Sequence, residues 1–335
     1  MLISNNNYAR NSDFVFSETV DHRSYETLER ENLFITDKSK DGVAYKSRIL
    51  KIADGDSIFS RTDYLDELFF HIKKTNKKNL KLITHQTDIE INDAFVQKLP
   101  DNFTHWFGIN KNTNSDKVIS LPIGIAGDFS YKNLQVDDFS DSNVQNFDLK
   151  SKKLLIYLNF QKNTNNYERD QALEALKYSD RVYISEPNLE KMKYRKDLER
   201  FVFVLCPWGN GFDTHRIWET LYSGSIPVVK KHKTFEYLQD LPALFIDNYE
   251  DLLNIELNKF VNDFDIANFN FKKLNIEYWV NQFKNTDLEP KRETIYINYY
   301  LSMFFYFKLK INDKFSSYKK KVDYYFKKIK IRVTN

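Results

Sequence analysis

The chain has 335 residues, of which 41% are hydrophobic and 16% aromatic, and its formal net charge at pH 7 is +3. This apolar content excludes an intrinsically disordered chain, and the length is that of two domains of ordinary size. The single cysteine, Cys206, excludes an intramolecular disulfide. The first residues contain no apolar segment of the secretory type and no run is long enough to span a bilayer, so we expect a cytoplasmic protein.

The first regular pattern begins at residue 57, after a polar segment in which only Phe14–Phe16 suggests a strand. A strand is predicted at 57–60, then a helix whose apolar Leu65, Leu68, Phe69 and Ile72 recur at helical spacing, then a strand at 80–84. Further strands are predicted within 105–110 and 117–125. Strand–helix–strand units build parallel sheets, so we expect an α/β domain over residues 1–148 that ends in a polar connection.

A second α/β domain is predicted over residues 149–290. Its strands are expected at 153–160, 181–185, 201–206, 226–230 and 241–247, with helices between them. This alternation predicts a doubly wound parallel sheet.

The loop PWGNGFD, residues 207–213, lies between an apolar strand and the helix that follows it. In open α/β sheets, ligands bind beyond the carboxyl ends of the strands, where this loop is placed. Gly209 and Gly211 would allow the backbone to approach a ligand closely, and Asp213 or Thr214 would cap the helix.

The helix after this loop carries Arg216 in its first turn and Glu219 one turn later. Unpaired amides at a helix start and a guanidinium favour an anion, which predicts a diphosphate site. Glu219 would accept hydrogen bonds from a ribose diol next to that diphosphate. The alternative is an ordinary crossover helix in which Arg216 and Glu219 form a surface pair.

Residues 206–229, CPWGNGFDTHRIWETLYSGSIPVV, resemble the exostosin-like glycosyltransferases and their bacterial and viral relatives. The shared pattern is C-P-x-G-x-G-x-D-T-H-R-x-W-E-x-L-x-x-G-x-I-P-V. The upstream segments LKLITHQTD, KVISLPIGI and LLIYLNFQKNTNNYERDQ and the downstream segment LQDLPALFIDNYEDLL extend the resemblance over residues 57–255. The chain lacks the anchor and stem of the animal exostosins, which favours a bacterial or viral enzyme of surface-glycan assembly.

The resemblance implies a GT-B fold, in which two Rossmann-like domains face a cleft, and a nucleotide-sugar donor, with a UDP-sugar favoured. The acceptor would be a surface polysaccharide, a lipopolysaccharide or a glycoprotein glycan, and transfer would be inverting and independent of a metal or cofactor. Glu219 would hold the ribose. The implied donor contacts of the loop and helix start are Gly209, Asn210, Gly211, Asp213, Thr214, His215 and Arg216.

Three further residues are expected at the donor pocket. Asn159 and Glu186 follow predicted strands at their carboxyl ends, and Arg169, like Lys230, would help Arg216 to stabilise the departing diphosphate. His215 would either touch the phosphates or pack at the helix start.

An inverting reaction needs a base, which we expect from the first domain across the cleft. Asp88 and His85, after the predicted strand at 80–84, are the candidates. Their alternatives are a carboxylate that caps a loop and a hydrogen-bonded turn histidine.

Two triplets, Asp54-Gly55-Asp56 and Asp263-Phe264-Asp265, have the D-x-D form that binds a divalent cation in the other large glycosyltransferase fold. The first is equally typical of a turn, and a hard cation needs more oxygen ligands. We therefore expect no metal site.

The C-terminal residues 291–335 are predicted to form a basic helical tail. Residues 304–332 hold ten Lys or Arg and two Asp, a net charge of +8. Such a helix packs its aromatic face on the protein or lies on anionic lipid; we favour peripheral membrane contact, which suits a lipid-linked acceptor. The helical spacing is carried by Phe315, Tyr318, Val322, Tyr325, Phe326 and Ile329.

Other functions stay open at this point. A fucosyltransferase-like enzyme that uses a GDP-sugar has a comparable strand, helix and G-x-I-P arrangement. A non-catalytic glycan-binding protein on the same fold, and a nucleic-acid-binding protein that uses the basic tail, belong to other classes. The latter leaves the glycines and arginine at 209–216 unexplained, so we expect no nucleic acid partner.

Overall fold

The computed structural model describes residues 1–140, 147–287, 290–312 and 314–315. It shows a mixed α/β protein built on two five-stranded parallel sheets and three smaller sheets. The strands are β1 (Phe14–Val15), β2 (Ser17–Val20), β3 (Leu33–Lys38), β4 (Val43–Ser47), β5 (Ile49–Ile52), β6 (Ser57–Arg61), β7 (Leu80–His85), β8 (Ile91–Asn92), β9 (Phe103–Gly108), β10 (Lys111–Asn112), β11 (Val118–Ser120), β12 (Lys153–Leu158), β13 (Val182–Ile184), β14 (Phe201–Leu205), β15 (Ile226–Lys230), β16 (Leu244–Ile246) and β17 (Glu293–Tyr296).

The helices include most of those that the sequence predicts and several short ones that it does not. A last helix covers residues 299–312, and residues 314–315 are also helical. No described helix is both long enough and apolar enough to cross a membrane. The other α-helices are α1 (Asn5–Asn11), α2 (His22–Glu26), α3 (Leu65–Ile72), α4 (Asp93–Val96), α5 (Asn166–Leu176), α6 (Lys191–Arg200), α7 (His215–Tyr222), α8 (Leu257–Asn262) and α9 (Ile276–Phe283).

The first parallel sheet has the strand order β1-β6-β7-β9-β11. Its central strand β7 buries Leu80, Leu82 and Ile83, as expected of a parallel strand that is covered on both faces. Helix α3 covers one face with Leu65, Leu68, Phe69 and Ile72, all of which are buried. The predicted strand–helix–strand unit is thereby confirmed.

The second parallel sheet has the order β13-β12-β14-β15-β16. Phe203 at its centre lies between Ile156 of β12 and Ile226 of β15. The chain goes from β12 outward to β13 and then returns to β14 on the other side of β12. This reversal is a topological switch point, the place at which such sheets bind ligands beyond the strand ends.

The two parallel sheets share one continuous apolar core. It runs from Ile3 and Phe107 on the side of the first sheet to Phe203 and Trp218 on the side of the second. The N-terminal segment lies inside this junction, where the Tyr222 hydroxyl accepts a hydrogen bond from the Ile3 amide at 3.0 Å. The halves of the molecule are therefore packed directly against each other.

The end of the described chain returns to the first sheet's half of the molecule. Strand β17 pairs antiparallel with β5, and the helix at 299–312 then packs beside β3 and α3, where the Tyr306 hydroxyl donates to the Thr36 carbonyl at 3.0 Å. Residues 293–296, within the expected helical tail, thus form a strand. The helical pattern predicted from Tyr318 onward lies outside the described residues.

Candidate functional site

A cavity of about 590 Å³ opens at the switch point of the second sheet. It lies beyond the carboxyl ends of β12 and β14, and residues 132–134, which follow the first sheet, close one side of it. The second sheet and its helices supply the polar lining, which includes Asn159, Gln161, Arg169, Lys191, Tyr194, Thr214, His215, Arg216 and Glu219.

The start of α7 faces this cavity without a side-chain cap. Thr214 occupies the N-cap position in an extended conformation, but its hydroxyl makes no capping hydrogen bond. Among the described residues, Thr214 Oγ1 and Arg216 Nε are both buried and have no hydrogen-bond partner. Unpartnered buried atoms also occur away from the cavity, His85 Nε2 among them, but Thr214 and Arg216 line it and are placed to hydrogen-bond a ligand there.

Two guanidinium groups line the same cavity. The Arg169 guanidinium donates through Nε to the Trp208 carbonyl at 3.1 Å and to the Gln161 carbonyl, which fixes its position. Burial, and then the positive charge of Arg216, lower the pKa of Arg169 to about 10. An anion bound between two cations relieves their mutual repulsion, so the chemistry of this pair is suited to an anionic ligand.

Arg216 retains its charge despite its surroundings. Burial opposes ionisation, but the neighbouring Tyr194, Cys206 and Glu219 outweigh it and raise the pKa of the guanidinium above its ordinary value. The group is therefore a permanent cation at neutral pH.

Glu219 lies in the cavity wall with one oxygen already engaged. Its Oε2 accepts a hydrogen bond from the Tyr194 hydroxyl of α6 at 2.9 Å. Burial raises the pKa of the carboxyl, and Arg216, His215 and Tyr194 oppose that shift. The second oxygen, Oε1, makes no hydrogen bond within the described chain and can accept one from a ligand hydroxyl.

The loop at 207–213 does not line the cavity, contrary to the prediction. Gly209, Asn210, Gly211 and Asp213 are not among the lining residues of the cavity. A Cβ atom at Gly211 would lie 2.6 Å from Asn110 Nδ2. The glycine therefore leaves room for the side chain of Asn110, a residue that follows strand β9 of the first sheet. Gly209 packs more loosely, with a Cβ position 3.2 Å from an Arg169 nitrogen.

Asp213 connects the loop to the first sheet's half of the molecule and does not cap α7. Its Oδ2 accepts hydrogen bonds from the Ile123 amide at 2.8 Å and the Tyr237 hydroxyl at 2.5 Å. Burial raises the pKa of this carboxyl to about 6, although its hydrogen bonds oppose the shift. The Asn110 side chain holds the same loop by accepting from the Phe212 amide at 2.9 Å.

The remaining predicted donor residues divide between two neighbouring cavities. His215 lines the first one, and its Nδ1 lies 2.8 Å from the Gly124 carbonyl. Asn159 also lines it, and its amide donates to the Glu186 carbonyl at 2.6 Å. The exposed Glu186 side chain instead lines an adjacent cavity of about 510 Å³. Lys230 pairs with Glu168 at 3.4 Å, which directs its charge away from a ligand role.

The two base candidates lie outside the lining of the donor cavity. His85 is fully buried, and burial followed by the nearby His215 lowers its pKa to about 3. Its Nδ1 accepts from the Gln86 amide at 2.8 Å, as a turn histidine would. Asp88 is exposed at the end of the same segment. The assignment of either residue as the base stays a prediction.

Two residues that the sequence did not single out have the features of functional groups. Tyr194 orients Glu219 from a helix that is rich in lysine and arginine, where no local signal marks it. Glu18 on β2 is buried, which raises the pKa of its carboxyl to about 7, and it accepts from Asn6 Nδ2 at 2.8 Å and Tyr45 OH at 3.2 Å. Only tertiary contacts reveal either of them.

In the part of the chain that the structure describes, no group of three or more His, Cys, Asp or Glu side chains is placed to hold a metal ion. The Asp54-Gly55-Asp56 triplet forms a turn with Gly55 at a φ of 80°. Asp56 is fully buried and pairs with Arg292. Its carboxylate is thus occupied in the turn.

No protein-family model matches the chain. No curated protein is similar enough to count as a relative. The resemblance of residues 206–229 to the exostosin-like enzymes therefore remains a hypothesis.

Proposed function

We propose that the protein is a GT-B type glycosyltransferase that moves a hexose or pentose from a nucleotide-sugar, with a UDP-sugar favoured, to a glycan acceptor. The observation that carries this proposal is the cavity at the switch point, where Arg169 and Arg216 converge on the uncapped start of α7 next to Glu219. Two parallel sheets in contact, with this cavity at the ends of the second, support the GT-B assignment.

The diphosphate and the ribose of a nucleotide-sugar would each have a matching group in the cavity. The diphosphate would lie against Arg216, Arg169 and the α7 amides, where the local charge is positive. The ribose hydroxyls would donate to Glu219 Oε1, because Tyr194 already occupies Oε2. A cavity of about 590 Å³ is in the size range of small-molecule sites.

Transfer would proceed by displacement at the anomeric carbon. The acceptor oxygen forms a bond to that carbon, the bond from the carbon to the phosphate oxygen breaks, and the nucleoside diphosphate leaves with the bonding electrons. The two guanidinium groups would stabilise the charge that develops on the leaving phosphate. The acceptor proton passes to a base, for which Asp88 and His85 are the predicted candidates.

Arg216→Met tests the central element of the proposal. It removes the cation while keeping an unbranched side chain, and we expect at least about a hundredfold weaker binding of UDP or GDP, because a charged hydrogen bond to phosphate is lost. Isothermal titration with UDP, GDP and CMP also separates a UDP-sugar enzyme from a fucosyltransferase-like one.

Arg23→Met is the matched control, because Arg23 is exposed on α2. It should bind nucleotide like the wild type. If no nucleoside diphosphate binds the wild type, or if Arg216→Met binds equally well, the proposal fails. Nucleotide binding without transfer of sugar to any glycan acceptor would instead favour the non-catalytic alternative.

A further inference from the structure

The last described helix, residues 299–312 with 314–315, carries an aromatic stripe on its outer face. The members of the stripe are three or four positions apart, so they lie on one side of a helix. Large apolar surfaces of this kind normally mark a site of interaction. The stripe consists of Tyr300, Phe304, Phe307, Ile311 and Phe315, which are 81, 62, 55, 55 and 71% exposed.

The inner face of this helix is fixed to the protein by polar contacts. The buried ammonium group of Lys46 donates to the Ser302 carbonyl at 2.9 Å and pairs with the buried Glu67. Lys308 pairs with Asp66 of α3 at 3.0 Å. These contacts hold the helix in one orientation, with the stripe pointing away from the core.

We propose that the aromatic stripe binds the surface of an anionic lipid bilayer. Aromatic rings prefer the interface between hydrocarbon and water, and lysines next to them are attracted to anionic headgroups. Lys310 and Lys314 are exposed beside the stripe, and residues 304–332 carry a net charge of +8. The helix would lie in the plane of the interface, since no described helix can cross a bilayer.

The charge distinguishes this partner from a second copy of the chain. Two copies that paired through their stripes would bring Lys310 and Lys314 of one copy towards those of the other, which is unfavourable at moderate ionic strength. An anionic surface complements that charge. The inference concerns only this helix and does not depend on the proposed transfer reaction.

The 335-residue chain should co-sediment with vesicles that contain phosphatidylglycerol and bind vesicles of phosphatidylcholine alone at least about tenfold more weakly. The double substitution Phe304→Ser with Phe307→Ser should weaken binding to the anionic vesicles at least about tenfold. Lys310→Gln with Lys314→Gln should weaken it and reduce its dependence on salt. A matched control, Tyr178→Ser with Ile266→Ser, removes two other exposed apolar side chains and should bind like the wild type.

Absence of vesicle binding by the wild type would overturn the proposal. So would equal binding by the Phe304→Ser, Phe307→Ser variant, given an unchanged circular dichroism spectrum. Sedimentation velocity tests the alternative that the stripe binds a second copy of the chain. A wild-type dimer that this variant converts to a monomer, without vesicle binding, would support that alternative and overturn the proposal.

Discussion

The carboxyl ends of the two parallel sheets are equivalent by topology and differ in what fills the space beyond them. Beyond the second sheet lies a cavity in which Thr214 and Arg216 leave buried polar atoms without protein partners. Beyond the first sheet His85 and Asn110 are fully buried, and His85 Nε2 and Asn110 Nδ2 also have no protein partner among the described residues. The difference between the two ends is therefore the open volume that Thr214 and Arg216 line, because unpartnered polar atoms occur at both. Asn110 Oδ1 accepts from the amides of Phe212 and Asp213, so this side chain belongs to the junction between the two halves of the molecule.

Gly211→Ala tests the contact between the two halves of the molecule through its effect on stability. The new methyl group would meet the Asn110 amide at 2.6 Å, within the loop that joins the two halves. We expect the free energy of unfolding to fall by about 2 to 3 kcal/mol, as in overpacked cores. Urea denaturation measures this change.

Gly209→Ala is the matched control for Gly211→Ala, because its Cβ position is 3.2 Å from the end of the longer Arg169 side chain. It should lower the free energy of unfolding by less than about 1 kcal/mol. Equal losses in the two variants would contradict the assignment of Gly211 to the junction.

Glu18→Gln tests a second buried polar group through the pH dependence of the free energy of unfolding. The folded pKa of Glu18 is raised from 4.5 to about 7, so the folded state binds the proton more tightly than the unfolded state does. This contribution to stability is complete below about pH 4.5 and is lost as the pH rises through about 7. The wild type should lose about 2 to 3 kcal/mol across that range.

The glutamine variant should lack this component of the pH dependence when unfolding is followed by urea titration at pH 4.5 and pH 8. It keeps the acceptor oxygen for Asn6 but has no charge to desolvate. Identical pH profiles for the wild type and the variant would show that Glu18 is not held in its neutral form.

Tyr194→Phe tests the cavity of the second sheet, and we expect only a small effect on nucleotide binding. It removes the hydroxyl that donates to Glu219 Oε2 at 2.9 Å, which frees the carboxylate to rotate. We expect binding of a nucleoside diphosphate about fivefold weaker, with stability changed by less than about 1 kcal/mol.

A 2′,3′-dideoxy nucleoside diphosphate provides the discriminating measurement for Tyr194. It lacks the diol, so the wild type and the variant should bind it with equal affinity. An equal fold-loss for the ribose and dideoxy ligands would show that Tyr194 does not act through the diol contact of Glu219.

Much of the two sheets follows from local patterns in the sequence. The apolar runs of β14 and β15, and Leu80, Leu82 and Ile83 of β7, predict parallel strands, and the structure confirms all three within a few residues. The apolar spacing of α3 is confirmed as well. These elements are predictable because burial on both faces leaves a strong signal in a short stretch of chain.

The N-terminal segment shows where local signals fail. Asn5, Asn6 and Asn7 are typical of an exposed loop, yet they form a buried helix. Asn6 donates to the Glu18 carboxylate, and Asn7 to the Leu2 carbonyl at 2.8 Å. Asn6 also accepts from the Asp128 amide at 3.2 Å, and a single sequence does not reveal such a pairing between residues 122 positions apart.

Part of the candidate site was predictable because its residues are close together in the sequence. Arg216 and Glu219 were found because both lie on one helix after a recognisable loop. The roles of Asn110 and Tyr194 depend on contacts between residues that are 102 and 25 positions apart. Gly211 was correctly singled out as a place of close approach, but the approaching group is protein and was expected to be ligand.

The pairing of β17 with β5 has a consequence for how the protein is made. Strand β5 at Ile49–Ile52 meets its partner only after the ribosome has translated residues 293–296, when the whole second sheet has already emerged. Lys46 can donate to the Ser302 carbonyl only after residue 302 has been translated. The half of the molecule that is translated first is therefore completed last, and a nascent chain that stalls before residue 293 exposes an unpaired strand edge of the kind that chaperones cover.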